Sequence, residues 1–169
     1  MNNLIKLLDG AAQVVQDDPW QLVREAEELD ASGPLILPLA VWRERQSDAV
    51  LAGREPSADG LWLAPDDEVE SLVACLSALP LLAVDFPSFR DGRGYSQAYL
   101  LRSRLGWSGE LRAVGEVLRD QLSHMRQCGF DAFAVRADKS VDDALLGLAG
   151  MSVQYGRSVI EPRPLFRRR

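Results

Sequence analysis

The length, composition and charge of the chain exclude several classes of protein. Its 169 residues, 47% hydrophobic and 26% charged, are typical of one soluble globular domain with its own core. No apolar run approaches the roughly 20 residues that cross a bilayer, and the start has no secretory leader, so we expect a cytoplasmic protein without membrane contact. The two cysteines, Cys75 and Cys128, are isolated in the sequence, which excludes a cysteine-held iron–sulfur cluster.

Hydrophobic patterns along the chain alternate between strands and helices. The first 20 residues predict a β-hairpin around the turn "DG", and "PLILPL" at 34–39 predicts a buried strand. Further predicted strands share short apolar runs and lie at 61–65, 81–86, 109–115 and 131–136. Predicted helices share apolar residues at helical spacing and lie at 40–53, 66–79, 95–106, 116–129 and 140–150, with Gly53, Gly106, Gly129 and Gly150 as ends and Ser140 as a cap.

This alternation predicts an α/β fold with short connections. We expect a mainly parallel open sheet flanked by helices, either Rossmann/flavodoxin-like or half-barrel-like, with an N-terminal β-hairpin. A single domain over 1–169 would then comprise the hairpin at 1–20, a regular strand–helix core at 60–150 and an extended basic tail at 151–169.

Charge is distributed unevenly along the chain, whose formal net charge is −6. Residues 1–80 hold 15 acidic and 5 basic side chains, a net −10, whereas residues 81–169 hold 10 acidic and 14 basic side chains, a net +4. The second half therefore favours an anion site or a docking face for an acidic partner. Nucleic acid is not an expected partner, because the arginines do not line one helix and lysine is nearly absent.

Polar residues and glycines follow the strand at 81–86, which ends near Asp85. In open α/β sheets ligands bind at the carboxyl ends of strands, and free amides at a helix start favour an anion. Arginine binds carboxylates and oxyanions bidentately, so the loop "RDGRG" predicts an anion or partner site. A structural turn braced by its own ion pairs explains the same residues and stays open as an alternative. The candidates here are Arg90, Asp91, Arg93, Tyr95 and Ser96.

The next strand end repeats this pattern. If the strands are parallel neighbours, arginines of both segments would approach one edge of the sheet; the alternative is that Arg112 and Arg119 pair with Glu110 and Glu116. The candidates added here are Arg112, Arg119 and Asp120. The basic terminus adds a second kind of candidate, a docking arm with an aromatic anchor, against the alternative of a frayed end. Its residues are Phe166, Arg167, Arg168 and Arg169.

The motifs of the commonest cofactor sites are missing from the sequence. His124 is the only histidine, and no glycine-rich stretch completes a phosphate-binding or dinucleotide-binding fingerprint. We therefore predict no metal and no cofactor held by the chain itself, and no catalytic residue is assigned. A flavin phosphate is one of the anions that the arginine-rich loops would accommodate.

The block "DFPSFRDGRGYSQAYLLRSRLGWSGELRAVGEVLRDQLSHMRQCGFDAFAVR", together with "NLIKLLDG", "PLAVWRE" and "RPLFRRR", resembles the bacterial family called domain of unknown function 934. The resemblance implies a role in assimilatory sulfur metabolism, because members are commonly encoded beside a sirohaem-dependent sulfite reductase haemoprotein. It implies an accessory that docks on this haemoprotein and aids electron delivery. It carries no assigned catalytic residue.

Two functions therefore stand as hypotheses. The first is an accessory protein whose positive loops and basic tail contact an acidic, electron-accepting partner. The second is an oxidoreductase or ligand-binding protein that holds a small anion, a nucleotide or a flavin with the same strand-end arginines. The sequence leaves open whether the chain forms a homo-oligomer.

Overall fold

The computed structural model of the protein describes residues 1–24, 33–52, 58–151 and 153–168. In these ranges four strands precede the first helix, and strands then alternate with helical segments along the chain. The strands are β1 (Leu4–Leu8), β2 (Ala11–Val15), β3 (Gln21–Leu22), β4 (Leu35–Pro38), β5 (Gly60–Leu63), β6 (Leu81–Phe86), β7 (Glu110–Gly115) and β8 (Ala132–Ala134). The α-helices are α1 (Leu39–Leu51), α2 (Arg93–Ser103), α3 (Leu122–Cys128) and α4 (Val141–Gly147).

The N-terminal hairpin is confirmed. β1 and β2 pair antiparallel from Leu4 opposite Val15 to Leu8 opposite Ala11. Asp9 and Gly10 between them both have positive φ, 51° and 82°. Two consecutive residues of positive φ form the type I′ turn that matches the twist of the flanking strands, which explains the "DG" dipeptide.

The α/β class is confirmed, but the expectation of a mainly parallel sheet is wrong. The strand order is β2-β1-β8-β7-β6-β5-β4-β3, and the sheet is mixed: β1 is antiparallel to both β2 and β8, while the neighbours from β8 to β3 pair parallel. A Rossmann or flavodoxin-like sheet reverses its strand order at a switch point. From β3 to β8 the order never reverses, so the half-barrel-like alternative is the correct one.

The connection between β2 and β3 shows how strongly the sheet curls. These strands are the two edges of the sheet, yet only residues 16–20 separate them. Seven strand spacings of about 4.8 Å would put the edges of a flat sheet roughly 34 Å apart. The chain from Val15 to Gln21 reaches at most about 21 Å. The sheet must therefore curl, and residues 16–20, here called the strap, cross its concave side.

The two faces of the sheet differ in what covers them. The outer face, which includes Leu82, Val84 and Leu111, packs against buried residues of the helices and forms the main hydrophobic cluster. The inner face, which includes Ala83 and Ala132, is covered by the strap and forms a smaller cluster with partly buried tryptophans. Burial of both faces explains why β6 is buried at every position and reads as a continuous apolar run.

The helix predicted at 66–79 is wrong. Two short 3₁₀ helices, Val69–Leu72 and Leu76–Ala78, occupy this segment. The apolar spacing predicted burial correctly for Val69, Leu72, Leu76 and Leu79, but Val73 of the same predicted face is 62% exposed. Side chains here bond to carbonyls three residues back, Ser71 Oγ to Glu68 and Cys75 Sγ to Leu72. Such bonds offer the backbone an alternative to the α-helical ladder.

The remaining helix predictions hold with shifted bounds. α2 begins at Arg93 rather than Tyr95, and α3 begins at Leu122, after a short 3₁₀ turn at Arg119–Gln121. α2 ends at Ser103 and α4 at Gly147, each three residues before the predicted glycine, Gly106 or Gly150. Gly129 ends α3 in the left-handed region at φ 107°, and the Ser140 side chain caps α4 by accepting from the Asp143 amide. The predicted end at Gly53 lies outside the described residues. Among the helices that are described, none combines the length and apolarity needed to cross a membrane.

Candidate functional site

The predicted strand-end loop lies at the carboxyl end of β6. This loop, residues 87–92, turns back through a hydrogen bond from the Asp91 amide to the Ser88 carbonyl (3.0 Å) and leads directly into α2. Gly94 in the first turn of α2 packs against β6, where an added Cβ would lie 2.8 Å from the Phe86 ring. The glycine therefore permits close packing of helix on strand and fixes the loop to the rigid sheet.

Asp91 and Arg93 brace the loop. Asp91 Oδ1 accepts from the Arg93 backbone amide (3.1 Å) and from Arg93 Nε (3.0 Å), and Asp91 Oδ2 lies 2.6 Å from Nη2. Nη1 of the same arginine contacts Asp66. The hydrogen bonds from Arg93 lower the pKa of Asp91 to about 2. The first free amide of α2 and the guanidinium of Arg93 are thus already occupied by carboxylates of the chain.

Arg90 and Phe89 form an exposed pair on the same loop. The Arg90 guanidinium lies over the Phe89 ring at 5.6 Å from its centroid, and Phe89 is 55% exposed. Within the described part of the chain no carboxylate lies within ion-pair distance of Arg90. This pair therefore offers a cation and an apolar ring to a partner.

Gln121 ties the strand-end loop to the segment after β7. Its Nε2 donates to the Phe89 carbonyl (3.4 Å), and its Oε1 accepts from the Leu118 amide (2.9 Å). Tyr95 lies beneath, with its ring 5.1 Å from Phe86 and 4.7 Å from His124. Burial raises the pKa of Tyr95, against a hydrogen bond with Gln121. The hydrogen bond from Gln121 therefore holds the backbone of the strand-end loop at Phe89.

Asp85 faces the concave side at the carboxyl end of the sheet. It is 5% exposed and pairs with Arg24 Nη2 at 2.6 Å, while the Arg24 guanidinium lies 5.4 Å from the centroid of the Trp62 ring. Gly115 ends β7 beside it at φ 93°, where a Cβ would come 2.7 Å from Asp85 Oδ1. The ion pair between Arg24 and Asp85 thus covers the concave side of the sheet at its carboxyl end.

Arg112 lies inside the half-barrel, away from the strand-end loop. Its side chain has no exposed surface and pairs with Asp18 of the strap (2.7 Å) and with Glu110 (2.6 Å). Lys6 lies 3.1 Å from Asp18 and 2.9 Å from Glu110, and the ammonium of Met1 lies 3.5 Å from Asp18, so three cations and two carboxylates form one network. The expected approach of Arg112 to the sheet edge is therefore not seen, while the predicted contact with Glu110 is present.

Other sequence candidates are dispersed. Arg119 pairs with Asp143 of α4 at 2.5 Å rather than with Glu116, and both side chains are half exposed. Asp120 and Ser96 are exposed. In the tail, Phe166 is 63% exposed and lies under the Arg167 guanidinium, whereas Arg168 folds back onto the chain. Arg169 lies outside the described residues.

Within the described ranges, no group of three His, Cys, Asp or Glu side chains lies close enough to hold a metal ion. Cys128 is 3.8 Å from His124 Nε2, but burial raises the pKa of its thiol to about 11. A thiol with that pKa carries little thiolate at neutral pH, which makes it a poor nucleophile and ligand.

A protein-family model matches more than half of the chain. The model of the DUF934 family, described as bacterial protein of unknown function, matches residues 60–166. The chain belongs to the DUF934 family. The match spans β5 to the tail and so includes both the strand-end loop and the exposed Phe166. Comparisons with curated proteins and with solved structures gave no significant match.

The sequence reasoning missed three contributors to the site. Phe89 stands beside Arg90 in the sequence, and its position among polar residues of a turn was the available signal. Arg24 pairs with Asp85 and lies over Trp62, and all three come from elements that are distant in sequence. No local pattern connects them, because the pairing and the curl of the strands bring them together.

Proposed function

We propose that this DUF934 protein is an accessory of a sirohaem-dependent sulfite reductase in assimilatory sulfate reduction, acting in the cytoplasm. It docks on the haemoprotein with its strand-end loop and aids electron delivery to it. The partner and the process come from the family resemblance, and the docking mode comes from the geometry of the loop.

The exposed pair of Phe89 and Arg90 is the observation that carries the docking mode. Aromatic residues and arginines dominate binding energy at protein interfaces, and they do so best on a preorganised surface. Here the pair stands on a loop fixed by β6, α2 and Gln121. Among the described residues the Arg90 guanidinium has no carboxylate partner, which favours an acidic partner surface, with binding that weakens as salt increases.

The alternative, a small-anion or flavin-binding oxidoreductase, finds less support in the same loop. Asp91 occupies the start of α2 and holds Arg93, and Arg112 is saturated inside the half-barrel. An anion at this place would have to displace an internal carboxylate. We therefore keep this function as the outcome to be tested against docking.

A binding titration of the purified protein with its cognate sulfite reductase haemoprotein tests the proposal. We expect complex formation that weakens about tenfold or more between low and high salt, and Arg90→Ala to raise the Kd about tenfold, within the range of interface hot spots. Addition of the DUF934 protein should also raise the turnover of sulfite by the haemoprotein with its electron donor.

Arg43→Ala provides the matched control. Arg43 is an exposed arginine of α1 that donates to Ser71. Its loss removes the same charge but leaves the strand-end loop intact. Equal weakening of binding by Arg90→Ala and Arg43→Ala would show that Arg90 acts only through the net charge of the protein. No complex at low salt, with a thermal shift produced by sulfite or flavin mononucleotide instead, would replace docking by ligand binding.

A further inference from the structure

The C-terminal segment folds into a closed loop rather than a frayed end. The Arg168 guanidinium donates to three carbonyls of the same segment, Arg163 (2.8 Å), Gln154 (3.0 Å) and Gly156 (3.1 Å). The Leu165 amide donates to the Tyr155 carbonyl (3.2 Å). We call residues 154–168 the tail clasp, because one arginine side chain closes it.

The tail clasp is fastened to the helix layer. The Val159 amide donates to the Gln127 carbonyl near the end of α3 (2.9 Å), and Val159 packs where Gly129 leaves room. A cleft of about 330 Å³ separates the clasp from the last turns of α2, at Tyr99 and Ser103. The clasp is thus a fixed part of the surface at the end of α2 opposite the strand-end loop, about 16 Å away along an 11-residue helix.

The outward side of the clasp carries large apolar groups. Tyr155 is 75% exposed, Phe166 63% and Ile160 55%. The hydrogen bond between residues 155 and 165 places Tyr155 beside the turn that holds Phe166. Soluble proteins rarely expose large contiguous apolar patches, except where a partner covers them. The hydrogen bonds of Arg168 therefore hold in place an apolar surface that stays exposed in the isolated chain.

Charge identifies the kind of partner. Residues 154–168 contain four arginines and one glutamate, a net charge of +3. Arg163 is paired with Glu161, whereas Arg167 lies over the Phe166 ring. Two outward cations, Arg157 and Arg167, are too few for a polyanion, and the whole chain carries −6, which disfavours nucleic acid and anionic membranes. An acidic protein surface with an apolar centre fits both features.

We propose that the tail clasp is a second, preorganised contact surface for an acidic protein partner, with Tyr155 and Phe166 as anchors and Arg168 as the positioning residue that keeps the clasp closed. This inference rests on the proposed function for the identity of the partner, the sulfite reductase haemoprotein. A standard interface of about 800 Å² per side is roughly 30 Å wide, enough to reach both the clasp and the strand-end loop.

The test measures binding of the haemoprotein by four single variants in the full chain. Phe166→Ser and Tyr155→Ser should each raise the Kd about tenfold, and Arg168→Met should raise it several-fold although it touches no partner. Leu51→Ser is the matched control, because Leu51 is 86% exposed at the end of α1, a helix that packs mainly on β4 and β5. Thermal melting should be the same for the wild type and the two anchor variants.

A photo-crosslinking residue at position 155 gives an independent readout, which should label the haemoprotein in the wild-type background and lose its labelling in Arg168→Met. Wild-type affinity of both anchor variants, in a complex that Arg90→Ala still weakens, would overturn the clasp surface and leave the proposed function standing. Failure of the wild type to bind would overturn both. Binding of duplex DNA, of anionic vesicles or of a second copy through Phe166 would also overturn the assignment.

Discussion

At the scale of single residues, the buried charges do more for the fold than for the predicted site. Arg112 stands between the apolar residues Leu111 and Ala113 in the strand "ELRAVG", which signals a buried cation that needs a partner. Its main partner, Asp18, is 94 residues away. Sequence could therefore predict that Arg112 is exceptional, but spacing alone could not show that its role is to hold the strap.

Removal of one partner from this network should be costly. We expect Asp18→Ala to lower the free energy of unfolding by about 3 kcal/mol, the lower end for a broken buried pair, because Glu110 still contacts Arg112. Urea unfolding measures the change. Arg119→Ala, which breaks an exposed pair, should cost less than about 1 kcal/mol. Similar losses of unfolding free energy in both variants would show that the contact of the strap with Arg112 contributes little to stability.

The same residue predicts a pH dependence. Burial by itself would raise the pKa of Asp18, but the hydrogen bonds and charges of Arg112 and Lys6 outweigh burial and hold it below its ordinary value of 3.8. A carboxyl group whose pKa is lower in the folded than in the unfolded state stabilises the folded protein at pH values above the unfolded-state pKa. This stabilisation is lost as the pH falls through the folded-state pKa. The stability difference between wild type and Asp18→Ala should therefore be full at pH 6 and shrink below about pH 4. A constant difference down to pH 3 would contradict it.

At the scale of elements, the sequence patterns predicted the order of most strands and helices, but they did not predict the hydrogen-bonding pattern of every segment. The hairpin, the strands β4 to β8 and the capped helix α4 were predictable because turn and cap residues and apolar runs act locally. The two-residue strand β3 was not predicted, because it is too short to show a pattern. The segment 66–79 was misread because its apolar spacing fits both an α-helix and two 3₁₀ turns. The antiparallel pairing of β1 with β8 joins residues as far apart in sequence as Leu4 and Ala134 and leaves no local signal.

The end of β7 depends on a glycine. At Gly115 an added Cβ would lie 2.5 Å from the Phe86 carbonyl oxygen, at φ 93°. We expect Gly115→Ala to destabilise the protein by about 2–5 kcal/mol, from backbone strain of about 1–2 and overpacking of about 1–3. Gly10→Ala is the control, since Gly10 shares a positive φ but has no atom within 4 Å, so it should show the strain alone. Equal melting temperatures for the two variants would refute the close contact.

At the scale of the whole molecule, the curl of the sheet connects the fold to the candidate surfaces. The strap links the two edge strands across the inner face, and its Asp18 bonds to the centre of that face at Arg112. Parallel pairing of β6 with β7 puts their carboxyl ends at one rim of the curled sheet, where the strand-end loop and Gln121 meet. Strand order, and hence this meeting, was open in the sequence because several orders satisfy the same alternation.

Native-state hydrogen exchange tests whether the strap holds the curl. In the wild type, amides of the central strands β6 and β7 should exchange most slowly, and those of the edge strands β2 and β3 faster, since edges open with less free energy. In Asp18→Ala the edge strands should lose further protection while β6 keeps a larger share of its own, because the strap runs directly into β2 and β3, whereas Asp18 contacts the centre of the sheet through Arg112 of β7 and not through β6. An equal loss of protection in β2, β3 and β6 would mean that Asp18 stabilises the fold only globally. The curl would then be set by strand twist and helix packing, with the strap as a passive connection.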